Sequence, residues 1–278
     1  MDSSIKSNKR AVNLLRGVVL FLLVAFCLFP LVWMAFLAFR TPDAMFVPFW
    51  KEWSSFSTDT FMETIRSDFP KSILNSFIAA IVSMLLAMAI GTPAAFSLAK
   101  WSFKRKYIWK WVIQLLRMAP PVGFAIPLFL AYINFGMIDS LSGLILSYVT
   151  FTVPLVIWLM WMFFAQIPNE LLEAAWMDGS SVWRSFYKIG LPLSTPGLVA
   201  AGILSFIFAW NDFFFSLILT RTNATTGPVA VMNFLTESSY NWGGIASAGL
   251  ILSLPTLPVI FFMGKYIVQG LTSGAVKG

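Results

Sequence analysis

Asp212 is the one acid of this sequence that falls inside a long apolar run, and Trp210 and Asn211 stand beside it. A carboxylate in hydrocarbon costs about 3 kcal/mol unless it meets a partner or a wet cavity. The trio suits polyol recognition: a carboxylate and an amide for hydroxyl groups, an indole for the face of a sugar ring. The same residues suit hydrogen bonds between helices or subunits, and both roles stay open. Covalent and metal chemistry are poorly served. The chain has no histidine and a single cysteine, Cys27, itself in an apolar run. A nucleophile–base pair or a metal cluster has no obvious members, which argues against an integral-membrane enzyme. An ion-coupled carrier would need several acids or histidines within its spans, and only Asp212 qualifies. No GxxxxGK[ST] phosphate loop occurs, so any ATP chemistry belongs to another chain.

A second group of residues lies between Pro168 and Pro196. Asn169 is placed to cap a helix beginning at Glu170. Glu170 and Glu173 fall in its first turns, where acids complement the helix dipole. Ala174 and Ala175 leave a small surface for close packing. Gly179 is expected at the left-handed position after the helix. Ser180 and Ser181 are expected to cap a second helix over 183–189, which Pro192 ends. Leu171, Leu172, Trp176, Val182, Trp183 and Phe186 give this helix–turn–helix more apolar surface than a short loop can cover. It either fills a groove on another protein or lies on its own bundle or the lipid interface.

The elements that position these residues follow from composition. Of 278 residues, 58% are hydrophobic and 11% charged, against about a quarter charged in soluble domains. The apolar residues form blocks near 17–39, 72–99, 109–133, 142–165, 195–220 and 243–268, each long enough to cross a bilayer as a helix. The first is too long for a cleaved signal core. The fold class is all-α, a polytopic membrane protein with six transmembrane helices in a single domain, 1–278. Prolines punctuate several spans, and Pro120-Pro121-Val122-Gly123 is expected to break the third. Residues 40–71 have room for a short surface helix.

Basic residues fix the orientation. Lys6, Lys9, Arg10, Arg16, the acid-free cluster Lys100, Lys104, Arg105, Lys106 and Lys110, then Arg184, Lys188, Lys265 and Lys277 fall on one side. Arg40, Lys51, Arg66, Lys71 and Arg221 fall on the other with seven acids, from Asp43 to Glu237. The first side, with both termini, is expected to be cytoplasmic. Arg117, inside the third block, is read as snorkelling to that interface. The 100–110 cluster is read first as a topology determinant and second as a site for anionic lipid.

The spaced pattern Glu173-Ala174-Ala175, three residues ending in Asp178, Gly179, nine residues, Ile189-x-Leu191-Pro192 resembles the EAA loop (166–192 here) of ATP-binding-cassette importer permeases. The resemblance implies that this loop carries the coupling helix that sits in a cleft of a cytoplasmic ATPase. Glu173 would then make polar contacts to the ATPase and Gly179 would permit the turn. The tail 269–278, with Gly270-Leu271-Thr272-Ser273-Gly274, resembles carbohydrate-type permeases of the second-maltose-permease kind, in which it reaches between two ATPase subunits. Phe208-Ala209-Trp210-Asn211-Asp212-Phe213 resembles the same subfamily. The implied protein is an inner-membrane transport subunit, not an enzyme. It pairs with a second homologous permease, two ATPase subunits holding ATP and Mg, and an extracytoplasmic binding protein. It imports a sugar, sugar alcohol, glycerol or related polyol. A secondary transporter or a non-transporting scaffold is the alternative.

Overall fold

A computed structural model describes residues 2–48, 51, 55–235 and 241–259. Exposure below means not covered by this chain. The described residues are almost wholly helical: α1 (Asp2–Ala38), α2 (Asp59–Arg66), α3 (Phe69–Lys100), α4 (Lys106–Met118), α5 (Ala125–Asn134), α6 (Leu141–Gln166), α7 (Asn169–Met177), α8 (Val182–Leu193), α9 (Thr195–Trp210), α10 (Phe214–Leu219) and α11 (Trp242–Ser253). Val12–Ala38, Phe69–Lys100, Leu141–Gln166 and Trp242–Val259 are each long and apolar enough to cross a membrane. Two bent pairs raise that to as many as six: Lys106–Met118 with Pro121–Asn134, bent by 93°, and Val182–Leu193 with Thr195–Trp210, bent by 81°. The first bend falls at Pro120–Pro121, as the prolines predict. The block 195–220 is α9 and α10, interrupted at 211–213. The remainder of the block 243–268 beyond Val259 lies outside the described residues.

The chain divides into two compact units, residues 1–68 with 231–253, and residues 69–230 with 254–278. In the first, α1 packs on α11, and α11 on α2. Gly249 brings the α11 backbone against Met34, where an added Cβ would lie 3.0 Å from its sulfur, and Ser247 Oγ donates to the Ala38 carbonyl at 3.4 Å. Arg40, counted above among the outer bases, is buried. Its guanidinium lies 5.1 Å from the Phe36 ring centroid and its Nε donates to Ser55 Oγ at 3.3 Å.

In the second unit α3, α6 and α9 pack together. The reason is written along α3, where Ser72, Ser76, Ala79, Ser83, Ala87, Gly91 and Ala95 recur every three or four residues, all buried. In hydrocarbon, helices gain little from the hydrophobic effect and associate by close backbone contact at such small residues. The approach is close at Gly91. A Cβ there would lie 2.7 Å from Val156 Cγ1 and 2.9 Å from Val156 Cβ.

The loop after α10 is folded around one carboxylate. Asp139 accepts from the backbone N–H groups of Arg221, Thr222, Asn223 and Ala224 at 2.8–3.2 Å. Asn75 of α3 donates through Nδ2 to the carbonyls of Asn223 and Thr225 at 2.9 and 3.0 Å. Ser76 Oγ accepts from Gly227 N at 2.8 Å. Burial by itself would raise the Asp139 carboxyl, but the four backbone donors outweigh it and hold it well below the usual carboxylate range.

Two outcomes are expected. Gly91→Val destabilises the chain by about 1–3 kcal/mol through overpacking, and adding Val156→Ala recovers part of that, measured by thermal melting in detergent. Asp139 is depressed in the folded state, so its contribution is present above the unfolded value of about 4 and is lost as pH falls below it. Asp139→Asn therefore lowers the melting temperature at pH 7 and flattens its further fall between about pH 5 and pH 3; an unchanged acid limb would count against the carboxylate's role.

Candidate functional site

The loop between α6 and α9 is a pinned helical hairpin. α7 runs from Asn169 to Met177 and ends in a left-handed glycine, Gly179, at φ +82°. Gly179 N donates to the Trp176 carbonyl at 3.0 Å and Ser180 N to that of Ala175 at 2.9 Å, the paired bonds that close a helix in this way. Ser181 then caps α8, its Oγ accepting from Arg184 N at 3.3 Å. Gly179 and Ser181 stand as the residue types require.

Two other local expectations are corrected. Asn169 does not cap α7, whose first flanking residue is Pro168 with no side-chain cap bond. Its Oδ1 instead accepts from Lys100 Nζ at 3.0 Å, and the same Nζ donates to the Ile167 carbonyl. Pro192 does not end α8. The helix widens to a π turn over Phe186–Gly190 and runs on through Pro192 to Leu193. Proline is tolerated at the first turn of a helical segment, where its missing N–H has no partner to lose, and the π turn supplies such a restart.

The bundle absorbs one side of the hairpin. Leu172 and Phe186 are buried with Phe96 and Phe164 in one cluster, and Trp176, Ile189 and Leu191 pack against it. Phe96 lies 5.1 Å from Phe164 and 5.2 Å from Phe186 between ring centroids, and Trp101 stacks on Trp176 at 6.4 Å. Ile189 and Leu191 thus hold the loop onto the spans and do not face outward. The other side stays uncovered. Glu173, Ala174, Asp178, Gly179 and Pro192 are exposed, Ala175 partly so. Met177 is 88% exposed, and Trp183 and Tyr187 about 60%. Met177 was not singled out from sequence. Its signal was its place, directly before the turn, where a long apolar side chain has no turn of helix left to cover it.

The Trp210–Asp212 trio is differently placed. Trp210 is buried, stacked on Phe206 at 5.7 Å, so its ring has no free face for a sugar in this conformation. Asn211 is exposed, and its Nδ2 donates to the carbonyl of Ile207 in the preceding turn at 3.0 Å. Asp212 bridges elements. Its Oδ2 accepts from the buried Tyr148 hydroxyl of α6 at 3.0 Å and from Ser216 N at 3.1 Å, and its Oδ1 from Phe215 N at 3.4 Å. It satisfies the first free N–H groups of α10 and ties that helix to α6, the interhelical role left open above. Among the described residues no group of three His, Cys, Asp or Glu could hold a metal ion. The tail residues Gly270, Leu271, Thr272, Ser273 and Gly274 lie outside the described residues.

If Asp212 is a tie, removing it leaves Tyr148 Oη and two N–H groups without acceptors. Asp212→Ala is expected to cost about 1–3 kcal/mol per orphaned buried group, and Asp212→Asn less. In a double-mutant cycle with Tyr148→Phe the losses should not add, read as detergent melting temperature; strict additivity would show that the bond contributes nothing.

The hairpin lies within a stretch of sequence shared with known proteins. Residues 90–273 match the family model described as binding-protein-dependent transport system inner membrane component. Over 265 residues the chain is 36% identical to the trehalose transport system permease protein SugB of Mycobacterium tuberculosis, covering 92% of this chain and 95% of that one. It is 31% identical to the trehalose/maltose transport system permease protein MalG of Thermococcus litoralis, covering 97% and 98%. Among solved structures, a chain of a bacterial ABC transporter involved in the import of the acidic polysaccharide alginate shares its fold, with a TM-score of 0.75 at 19% identity over 92% of this chain and 96% of that one. On these matches, which reach over nearly the whole sequence, the chain belongs to the family of binding-protein-dependent transport system inner membrane components.

Proposed function

We propose that this chain is the permease subunit of an ATP-driven importer that takes up a sugar or related polyol, with α7 and the turn at Gly179 as its contact to a separate ATPase. The observation that carries the proposal is the two-sided hairpin. Its inner side is locked to the spans by Lys100, the Trp101–Trp176 stack and the Phe96–Phe164–Phe186 cluster. Its outer side, with Glu173, Met177 and Asp178 and the outer part of Trp183, is left exposed by the described residues. An apolar helix face rimmed with acids is the surface that fits a groove on a second protein. A displacement of α7 by the closing ATPase would pass to the ends of α3 and α6, because the hairpin cannot slide on them without breaking the Lys100 bonds. Such a switch requires that the ATPase hold the two states of the permease differently.

The charge asymmetry between loops supports a cytoplasmic position for this hairpin and for both termini. ATP and Mg would be held by two partner ATPase subunits, since this chain lacks a phosphate loop. A second homologous permease would complete the path, and an extracytoplasmic binding protein would deliver the solute to the opposite face. The names of the relatives make trehalose and maltose the first solutes to try.

The test is ATP hydrolysis by the co-purified assembly, measured with candidate binding proteins and a panel of sugars and polyols. Hydrolysis is expected to rise with one loaded binding protein. Glu173→Ala and Gly179→Val should abolish that rise while the chain still accumulates, the second by forcing a β-branched residue into a left-handed turn at about 1–2 kcal/mol. Lys100→Met should lower uptake per ATP hydrolysed, and Lys100→Arg should restore part of it. An intact chain that never brings an ATPase with it would defeat the proposal.

A further inference from the structure

Between the end of α3, α4 and α6 lies an apolar groove of about 260 Å³, lined by Leu98, Trp111, Ile113, Gln114, Ile157 and Trp158 among others. Lys110 lines it from α4, and Arg117, one helical step beyond the lining, meets it through the ring of Trp158. Each lies over a tryptophan of α6: Lys110 Nζ is 4.1 Å from the Trp161 ring centroid and Arg117 Cζ 3.9 Å from that of Trp158. Along α4 the two cations are two turns apart, about 10 Å, but the rings that hold them are three residues apart on α6, a rise of about 4.5 Å. Side chains lean toward a helix's N-terminus, and α4 starts at the basic loop. Both cationic heads therefore lean toward that end of the groove, over rings set closer along α6 than the cations' own Cα atoms are along α4. A ring face attracts a cation but leaves its N–H donors unspent and its charge uncancelled. No acid occurs in the sequence between Asp68 and Asp139 or within α6, so the chain offers these cations no carboxylate from the elements that form the groove. Two cations on an apolar wall call for an anion from outside.

We infer that this groove binds one anionic phospholipid of the cytoplasmic leaflet, its phosphate held by Lys110 and Arg117 and one acyl chain lying against Leu98, Ile113 and Ile157. The leaflet assignment rests on the orientation proposed above. An acyl chain matches the groove's hydrocarbon lining, and a phosphate diester matches the charge and donor supply of the two heads. Lys104 and Arg105, in the exposed turn before α4, belong to the same basic loop but not to the groove, and serve as the control.

The experiment is lipid retention in native mass spectrometry of the co-purified assembly, equilibrated with equal phosphatidylglycerol and phosphatidylcholine. The wild type should keep phosphatidylglycerol in preference. Lys110→Gln with Arg117→Gln should lower that retention about fivefold per charge removed, while Lys104→Gln with Arg105→Gln changes it less than about twofold. Ile113→Trp, which keeps both charges and fills the groove, should also expel the lipid, and it guards against misfolding of the charge variant. Equal loss from both charge pairs, equal retention of the two lipids, or undiminished retention in Ile113→Trp would overturn the inference. So would disulfide capture of Gln114→Cys, in a Cys27→Ser background, by a cysteine of a second permease subunit. Retention is read on this chain whether or not an ATPase accompanies it, so failure of the importer proposal would not mask the result.

Discussion

Inside a bilayer every backbone N–H and C=O must find its partner within the protein, and the breaks between helices are where this chain has to supply one. Its internal polar side chains are spent there. Lys100 serves the carbonyl of Ile167 just past α6. Asp212 serves the leading N–H groups of α10. Asp139 serves four successive N–H groups of the loop after α10, and Asn75 two of that loop's carbonyls. None of these residues needs a solute to explain it. A polar residue within a span is a reasonable first suspect for transport chemistry, but here the demand of the backbone comes first.

The same constraint explains why the hairpin can act as a rigid attachment. Once Lys100 is committed to Ile167 and Asn169, and Leu172 and Phe186 are sunk beside Phe96 and Phe164, α7 has little freedom of its own. α3 is in turn held close to α6 through its stripe of small residues, with Gly91 against Val156. Packed interiors resist gradual deformation and move between discrete arrangements. A push on the exposed side of α7, as the proposed ATPase contact requires, would therefore pass to whole spans.

Much of this was legible in the residues. The apolar blocks, the bend at Pro120–Pro121, the turn at Gly179 and the Ser181 cap follow from local rules, because each depends on a few neighbouring residues. Asn169 was misread because its partner, Lys100, is 69 residues away, and no local propensity reports a distant donor. Pro192 was misread because the π turn ahead of it offers a fresh helical start. The role of Trp210 stayed open because its neighbours in sequence, Ala209 and Asn211, do not report what its ring packs on, and only the packing shows that Phe206 takes it. The part played by Asp139 was invisible for a similar reason: its donors lie over eighty residues later.

The basic loop shows most clearly how one compositional signal divides in three dimensions. As a set of charges it supports the proposed orientation, and that reading treats its members as equivalent. Their surroundings differ. Lys100 is tied to the start of α7, and Lys106 Nζ donates to the Ala99 carbonyl at 3.3 Å. Lys110, with Arg117 beyond it, lies on tryptophan. Lys104 and Arg105 sit in the exposed turn before α4. The basic loop is thus assembled from residues with separate surroundings, and charge is what they have in common.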